Sequence, residues 1–274
     1  NVDADHLDFF KDIEDIRNSF HRFAQLLPAD GTLIINNDTP KVHTVTEGLP
    51  CKVVTFSLSG NGDYTAGEIV WDQEGCAIFE AYCKDAAVGR FTLRVPGLHN
   101  VANALAVIAM GFCLGLDAAT IQRGFDRFGG TKRRFEHKGV VGGVNVIDDY
   151  AHHPTEIRAT LTTARNFPHK TTWCVFQPHT YTRTKALLDD FAKALALADQ
   201  VVLADIYAAR EKNTVGISSL DLQEKILAQN IPCHYFPTFD EIENFLLENC
   251  GPGDLVITMG AGDVVKIGEN LLGI

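Results

Sequence analysis

The second half of the chain alternates between short apolar runs and helical stretches. Candidate strands lie at 144–148, 172–176, 201–205, 233–236 and 254–259, and candidate helices lie at 155–166, 182–198, 219–229, 239–249 and 263–272. Parallel strands need a crossover connection, usually a helix, so this alternation favours a parallel sheet. The pattern predicts a doubly wound α/β domain.

Polar segments leave the first three of these candidate strands. They run from Asp149 to His153, from Gln177 to Arg183 and from Asp205 to Glu211. The carboxyl ends of parallel strands lie on one edge of the sheet, and ligands bind at that edge in open α/β folds. We therefore expect the three segments to come together.

The first half of the chain has a different pattern. Apolar positions recur at helical spacing over residues 8–27, a short strand follows at 33–35, and residues 50–97 favour a small, mostly antiparallel sheet. A long apolar helix is expected over 100–116, and Asp117 would cap a second one. The basic, glycine-containing segment 129–135 predicts a domain boundary, with domains at 1–130 and 131–274.

Composition and charge argue against several classes of protein. The formal net charge of −11 argues against a broad nucleic-acid surface, although local basic residues could hold an anionic nucleotide. The seven cysteines include no Cys-x-x-Cys pair, which indicates reduced thiols rather than a disulfide framework or a zinc site. No apolar run approaches the roughly 18 residues that span a bilayer. We expect a cytoplasmic protein without a membrane partner.

The turn Asp-Asp-Tyr-Ala-His-His-Pro at 148–154 differs from an ordinary strand-to-helix turn, which would use Gly, Asn or Ser. Asp149 either caps the following helix or, beside Tyr150, binds the ribose of a nucleotide. His152 and His153 are either solvated loop residues or ligands of a catalytic metal, which would indicate a hydrolase. The residues alone leave these alternatives open.

Two groups of basic residues are candidate anion contacts. Lys132, Arg133 and Arg134 follow a glycine pair at the predicted boundary and are either a solvated hinge or a phosphate contact. Arg183 falls in the first turn of a predicted helix, where the helix dipole disfavours a cation. Its position therefore suggests a carboxylate or phosphate partner.

Weaker candidates lie elsewhere in the chain. His6 precedes the first helix, and a structural role is the simpler interpretation. Asn100 could cap the 100–116 helix, but Asn103 in its first turn needs another explanation. The Gly-rich turn at 258–263 is only a fragment of a dinucleotide-binding fingerprint.

Several motifs, taken in order, resemble those of the Mur ligases, which form cell-wall peptide bonds with ATP. The matching segments are Asp3–Asp8, Pro96–Ala104, Lys132–Glu136, Asp148–Pro154, Phe176–His179 with Thr182–Thr184, and Asp205–Ala209. Together they extend over the whole chain and are most similar to the alanine-adding type. The resemblance implies a partial central ATPase-type α/β domain with a small sheet, followed by a Rossmann-like C-terminal domain. It also implies joining of L-alanine to UDP-N-acetylmuramate through an acyl phosphate.

The resemblance assigns roles residue by residue. His6 would be a ligand of Mg²⁺, and Asn100 and Asn103 would contact ATP. Arg134 would reach the ATP phosphates, and Asp149, beside Tyr150, would hold the ribose. His152 and Arg183 would position the alanine, with Arg183 on its carboxylate.

Three departures from the family qualify this interpretation. Phe20 stands where relatives that add later residues have a carbamylated lysine, as expected of the alanine-adding type. Thr180 stands where many relatives have an arginine, and Arg210 is a hypothetical substitute. The family's P-loop motif, ending in Gly-Lys-Thr, is absent from the 274 residues. We therefore expect a truncated central domain with a complete C-terminal domain, inactive or nearly so by itself.

Three alternatives remain at this point. One is the related recycling ligase, which attaches a whole peptide to the same sugar nucleotide. The second is a non-catalytic nucleotide-binding module, and the third is the metal hydrolase considered above.

Overall fold

The computed structural model describes residues 2–4 and 9–274, which divide into two compact units, Asn1–Gly129 and Gly130–Ile274. The elements of the first unit are α1 (Ile13–Ala24), β1 (Thr32–Asn36), α2 (His43–Thr46), β2 (Lys52–Ser57), β3 (Tyr64–Trp71), β4 (Cys76–Cys83), β5 (Ala86–Pro96), α3 (Leu98–Cys113) and α4 (Ala118–Arg127). No helix in the described part of the chain is long and apolar enough to cross a membrane.

The first unit is built on a five-stranded sheet in the order β1-β2-β3-β4-β5. The β3-β4 and β4-β5 pairs are antiparallel, which confirms the mostly antiparallel sheet predicted for residues 50–97. The β1-β2 and β2-β3 pairs are parallel, so the predicted short strand joins the same sheet. The buried side of α3, including Leu105 and Ile108, packs in one apolar cluster with Phe79 and Phe91 of the sheet.

Capping residues set the helix boundaries of this unit. The Asp12 carboxylate accepts hydrogen bonds from the backbone of Glu14 and Asp15, so α1 starts later than the pattern predicted. The predicted cap is confirmed for α4, because Thr120 N–H donates to the Asp117 carboxylate at 2.7 Å. The cap predicted for Asn100 is wrong. Helix α3 begins at Leu98, after Gly97 at φ 100°, so Asn100 lies inside the first turn.

The second unit contains a six-stranded sheet in the order β10-β9-β8-β11-β7-β6. Its elements are β6 (Glu136–Val141), β7 (Val144–Asp149), α5 (Pro154–Ala164), β8 (Thr172–Phe176), α6 (Tyr181–Ala186), α7 (Leu188–Leu195), β9 (Gln200–Leu203), α8 (Ser219–Leu227), β10 (Cys233–Tyr235), α9 (Phe239–Asn249), β11 (Leu255–Met259) and α10 (Val265–Leu272). All pairs are parallel except β6-β7, which confirms the predicted doubly wound sheet. Strand β6 was not predicted, and Leu187 divides the predicted 182–198 helix in two.

Helices cover both faces of this sheet. Side chains alternate along β8, so Cys174 and Phe176 pack with α5, α7 and α8, while Trp173 and Val175 pack with α9 and α10. Strand β11 lies between β7 and β8. The segments that leave β7, β8, β9 and β11 are therefore neighbours at the carboxyl edge of the sheet.

Candidate functional site at the carboxyl edge of the second sheet

The three polar segments of the second unit come together as predicted. Tyr207 N–H donates to Pro178 O at 2.8 Å, and a short parallel bridge joins Tyr207 to His179. The two rings stack, with centroids 5.6 Å apart and planes 12° apart. The ring of His152 lies 5.9 Å from that of His179. Residues from three separate strand ends thus form one cluster.

The Gly-rich turn after β11 lies against the same cluster. Gly260 N–H donates to Asp149 O at 3.1 Å, and Gln177 N–H donates to Met259 O at 3.0 Å. A Cβ at Gly260 would lie 2.7 Å from Gln177 O, and one at Gly262 would lie 2.9 Å from the Tyr207 ring. The close approach of the neighbouring segments therefore explains why both positions are glycine. A phosphate-binding role is not needed to explain them.

Arg133 and Asp148 form the inner brace of this edge. The Asp148 side chain is fully buried, and Arg133 Nε donates to it at 2.8 Å. The remaining guanidinium nitrogens donate to Gly262 O at 3.1 Å and Gly260 O at 2.7 Å. Burial raises the pKa of Asp148, whereas hydrogen bonds from Arg133 and Thr258 oppose that shift. Arg133 therefore bonds to groups of its own unit. It is neither the solvated hinge residue nor the phosphate contact that the basic segment suggested.

Asp149 is also engaged internally. Its carboxylate accepts from Ala151 N–H at 2.8 Å, from Phe135 N–H at 2.9 Å and from the Thr160 hydroxyl at 3.0 Å. Burial raises its pKa despite these donors. The helix-capping alternative is wrong, since the cap of α5 is His153. The contact with ribose stays a prediction, and a ribose hydroxyl would have to compete with these three donors.

Arg134 and Tyr150 lie side by side near the surface. The Arg134 side chain is 51% exposed, and its Nη1 lies 3.4 Å from the Glu156 carboxylate. The guanidinium carbons of Arg133 and Arg134 lie 4.9 Å and 5.8 Å from the centre of the Tyr150 ring. Arg134 thus offers a cation to solvent while its guanidinium lies over an aromatic ring.

His152 is fixed by its own turn. Its Nδ1 lies 2.9 Å from Tyr150 O, and its backbone N–H donates to Glu156 at 3.0 Å. A carbonyl oxygen can only accept, so Nδ1 carries a proton, and Nε2 can accept a hydrogen bond when the ring is neutral. The ring is mostly buried, with 17% of the side chain exposed. His152 can therefore orient a donor group such as an amine.

Arg183 completes the cluster from α6, which has only six residues, so Arg183 also lies in the last turn and the predicted conflict with the helix dipole does not arise. Its Nη1 donates to His179 O at 3.3 Å. Burial lowers the pKa of His179, and the nearby Arg183 and His152 lower it further. The structure therefore brings two imidazole rings, His152 and His179, together beside the Arg183 cation. Arg210, the hypothetical substitute for the missing arginine, is exposed on the neighbouring segment.

The candidates in the first unit form a separate pair. Asn100 Nδ2 donates to Pro96 O at 2.7 Å, and Asn103 Nδ2 donates to Asn100 Oδ1 at 3.2 Å, so both amides lie on one side of α3. Asn103 is exposed. His6 lies outside the described residues. Within residues 2–4 and 9–274, no group of three or more His, Cys, Asp or Glu side chains could hold a metal ion.

Sequence reasoning did not single out several residues that organise this site. The spacing of Glu156, four residues after His152 and at a helix start, was a usable signal. Thr160 and Glu211 gave none, because their partners, Asp149 and Thr182, depend on the tertiary fold.

Two family models match the chain. The Mur ligase middle domain matches residues 1–111, and the Mur ligase glutamate ligase domain matches residues 133–262. A curated relative, the UDP-N-acetylmuramate–L-alanine ligase of Agathobacter rectalis, is 54% identical over 272 residues. That match covers 99% of this chain, which spans 59% of the relative's length.

Solved structures agree in fold. The UDP-N-acetylmuramate–alanine ligase of Thermotoga maritima is 25% identical with a TM-score of 0.77, covering 98% of this chain and 56% of that one. A murein peptide ligase from Psychrobacter arcticus is 26% identical with a TM-score of 0.65, covering 94% and 54% respectively. Taken with the two family models, these matches show that the chain belongs to the Mur ligase family and carries its middle and C-terminal domains.

Proposed function

We propose that this chain carries out part of an ATP-dependent ligation that joins L-alanine to UDP-N-acetylmuramate through an acyl phosphate. The observation that carries the proposal is the cluster of His152, His179 and Arg183 at the carboxyl edge of the second sheet. A guanidinium beside two imidazole rings suits a small amino acid, which has one carboxylate and one amine. The similarity to alanine ligases supports the same substrate.

The proposed roles follow from what each side chain can donate or accept. Arg183 would bind the carboxylate of alanine, since a guanidinium matches that group in charge and shape. His152, which holds its Nδ1 proton against Tyr150 O, would turn Nε2 towards the amine. Placing the amine in one orientation lowers the entropic cost of its attack on the activated carboxylate.

ATP, when bound, would supply the phosphoryl group that activates the sugar carboxylate. The exposed Arg134 fits a phosphate, and the exposed Asn103 fits a polar part of a nucleotide. For Mg²⁺, the predicted ligand His6 lies outside the described residues. We place the reaction in the cytoplasm, where ATP is available.

The test uses a chimera in which this chain replaces the matched segment of the Agathobacter rectalis relative. We expect ADP release that requires both UDP-N-acetylmuramate and L-alanine. Arg183→Ala should raise KM for alanine at least about ten-fold, because the charge-assisted contact with the carboxylate is lost. Arg158→Ala on the exposed side of α5 is the control and should leave KM unchanged.

The same assay separates the rivals. Activity with a peptide but not with alanine would support the recycling ligase instead. Nucleotide binding without turnover of either acceptor would support the non-catalytic module. An Arg183→Ala chimera with the parental KM would remove the proposed role of Arg183.

A further inference from the structure

Glu211 makes a set of contacts that the proposed reaction does not use. It lies at the end of the 205–211 segment, and its carboxylate reaches the start of α6 in the 177–183 segment. It accepts from Thr182 N–H at 2.9 Å and from the Thr182 hydroxyl.

These contacts supply the N-terminal cap that α6 lacks. The first N–H groups of a helix have no partner inside it, and the residue before the helix usually provides one. Thr180 occupies that position but makes no capping hydrogen bond to the backbone. Glu211, from another strand end, takes over the capping. Its negative charge also suits the positive end of the helix dipole.

Arg183 is the third residue of the helix that Glu211 caps. It directly follows Thr182, whose backbone N–H and hydroxyl both donate to Glu211, so the contact restrains the backbone that carries the Arg183 side chain. The opposite side of the turn is fixed separately, because the buried Thr184 donates its hydroxyl to Thr180 O at 2.6 Å. Glu211 is therefore one of the contacts that fix this turn, and it does so from a different strand end.

The 205–211 segment holds the 177–183 segment at two points. Tyr207 stacks on His179 at one end, and Glu211 caps the helix that carries Arg183 at the other. Between these points, Ala209 adopts φ 50° and Glu211 N–H donates to Ala208 O at 2.9 Å. This sharp turn directs Glu211 back towards α6.

We propose that Glu211 is a positioning residue of the amino-acid site: by capping α6, it holds Arg183 where the carboxylate of the substrate binds. The inference rests on the proposed function. It assigns Glu211 no contact with the substrate and no part in proton transfer. Burial raises the pKa of Glu211, but the hydrogen bonds from Thr182 help to bring it below its ordinary value, so the capping group is the ionised carboxylate.

The first measurement uses the chain itself and needs no activity. In Glu211→Ala, amide hydrogen exchange over residues 180–187 should speed up about ten-fold, because the cap is lost. Glu211→Gln should give a smaller effect, since the amide keeps one acceptor oxygen. Glu248→Gln, on exposed α9, is a charge-matched control that should leave exchange over 180–187 unchanged.

The second measurement uses the chimera described above. Glu211→Ala should raise KM for alanine about ten-fold and change kcat less than about two-fold, because positioning of the carboxylate is lost but the chemistry is not. Glu211→Gln should recover part of the loss. Thr182→Val combined with Glu211→Ala should add little to Glu211→Ala alone, since both remove the same contact.

The exchange rate and the KM for alanine together decide whether Glu211 has the positioning role. Faster exchange together with a higher KM supports the positioning role. Faster exchange with an unchanged KM overturns it, because the cap would then have no bearing on alanine. A higher KM with unchanged exchange also overturns it, since Glu211 would then act on the substrate directly. A parental chimera without alanine dependence would instead refute the proposed function, and this inference with it.

Discussion

The carboxyl edge of the second sheet has an inner and an outer layer that differ in what their polar groups contact. In the inner layer, Arg133, Asp148 and Asp149 bond to backbone and side chains of their own unit. In the outer layer, His152, His179 and Arg183 form a partly buried cluster of rings and one cation. The inner layer thus holds the turns together, and the outer layer carries the groups suited to a ligand.

This difference changes the meaning of the Asp-Asp-Tyr-Ala-His-His-Pro turn. From the sequence, its two carboxylates suggested that the turn binds a ligand, because acids are unusual in such a turn. In the structure they accept hydrogen bonds from the Arg133 guanidinium, from Phe135 N–H and the Thr160 hydroxyl, and from a backbone N–H of the turn itself. A conspicuous motif can therefore combine framework residues with ligand-binding residues.

The largest expected effect comes from breaking the inner layer. Arg133→Met leaves the fully buried Asp148 carboxylate without its cation, which should lower the free energy of unfolding of the second unit by about 3 kcal/mol. Urea unfolding in a Trp71→Phe background reports this unit, because Trp173 is then the remaining tryptophan.

Arg134→Met is the matched control. Arg134 is 51% exposed, so its replacement should change stability by less than about 0.5 kcal/mol. Adding Asp148→Asn to Arg133→Met should restore part of the stability, because it removes the uncompensated charge. Equal losses for the two arginine variants would contradict the division into layers.

A smaller effect is expected at Asp149. Asp149→Asn keeps one acceptor oxygen but turns an NH₂ group towards backbone donors, which should cost about 1–2 kcal/mol in the same unfolding assay. Thr160→Val, which removes one of the three donors, is the graded comparison. Unchanged stability would refute the role of Asp149 as a brace.

An activity assay with the chimera tests whether Asp149 also binds ribose. If it does, the parental chimera should prefer ATP to a deoxyribose analogue, and Asp149→Asn should remove that preference. A preference that survives the substitution would limit Asp149 to its structural role.

The order of strands and helices was readable from the sequence where periodicity is strong. The apolar runs at 144–148 and 172–176 became β7 and β8, because each lies in the centre of the sheet and is buried on both faces. Strand β6 was missed because it is an antiparallel edge strand with an irregular pairing between His137 and Gly139. Such a strand carries no continuous apolar run.

The site was predictable only in part. The meeting of the three segments followed from topology, because strand ends of a parallel sheet share an edge. The internal partners did not follow, since Arg133 reaches Gly260 across 127 positions of the chain and Thr160 reaches Asp149 from the far side of a turn. Local sequence could not show that Arg133 bonds within the unit while its neighbour Arg134 is exposed to solvent. The difference depends on which backbone carbonyl groups the fold brings near each side chain.

The smallest effect should appear at His179, in the outer layer. Burial lowers its pKa below the ordinary value of 6.5, and Arg183 and His152 add to the shift. An imidazole whose pKa is lower in the folded state stabilises the fold above pH 6.5, and that contribution is lost as the pH falls through the folded pKa. Histidine-selective nitrogen NMR on the chain, with His179→Gln for assignment, should show a midpoint below 6.5.

Arg183→Gln should move that midpoint upwards, because it removes the nearest positive charge, while Arg158→Gln should not. A midpoint at or above 6.5, or one insensitive to Arg183, would mean that the cation does not act on this imidazole. If the shift behaves as expected, the outer layer holds a positive potential at the His179 ring. Such a potential favours the carboxylate of an amino acid over its ammonium group and so sets the direction in which alanine would bind.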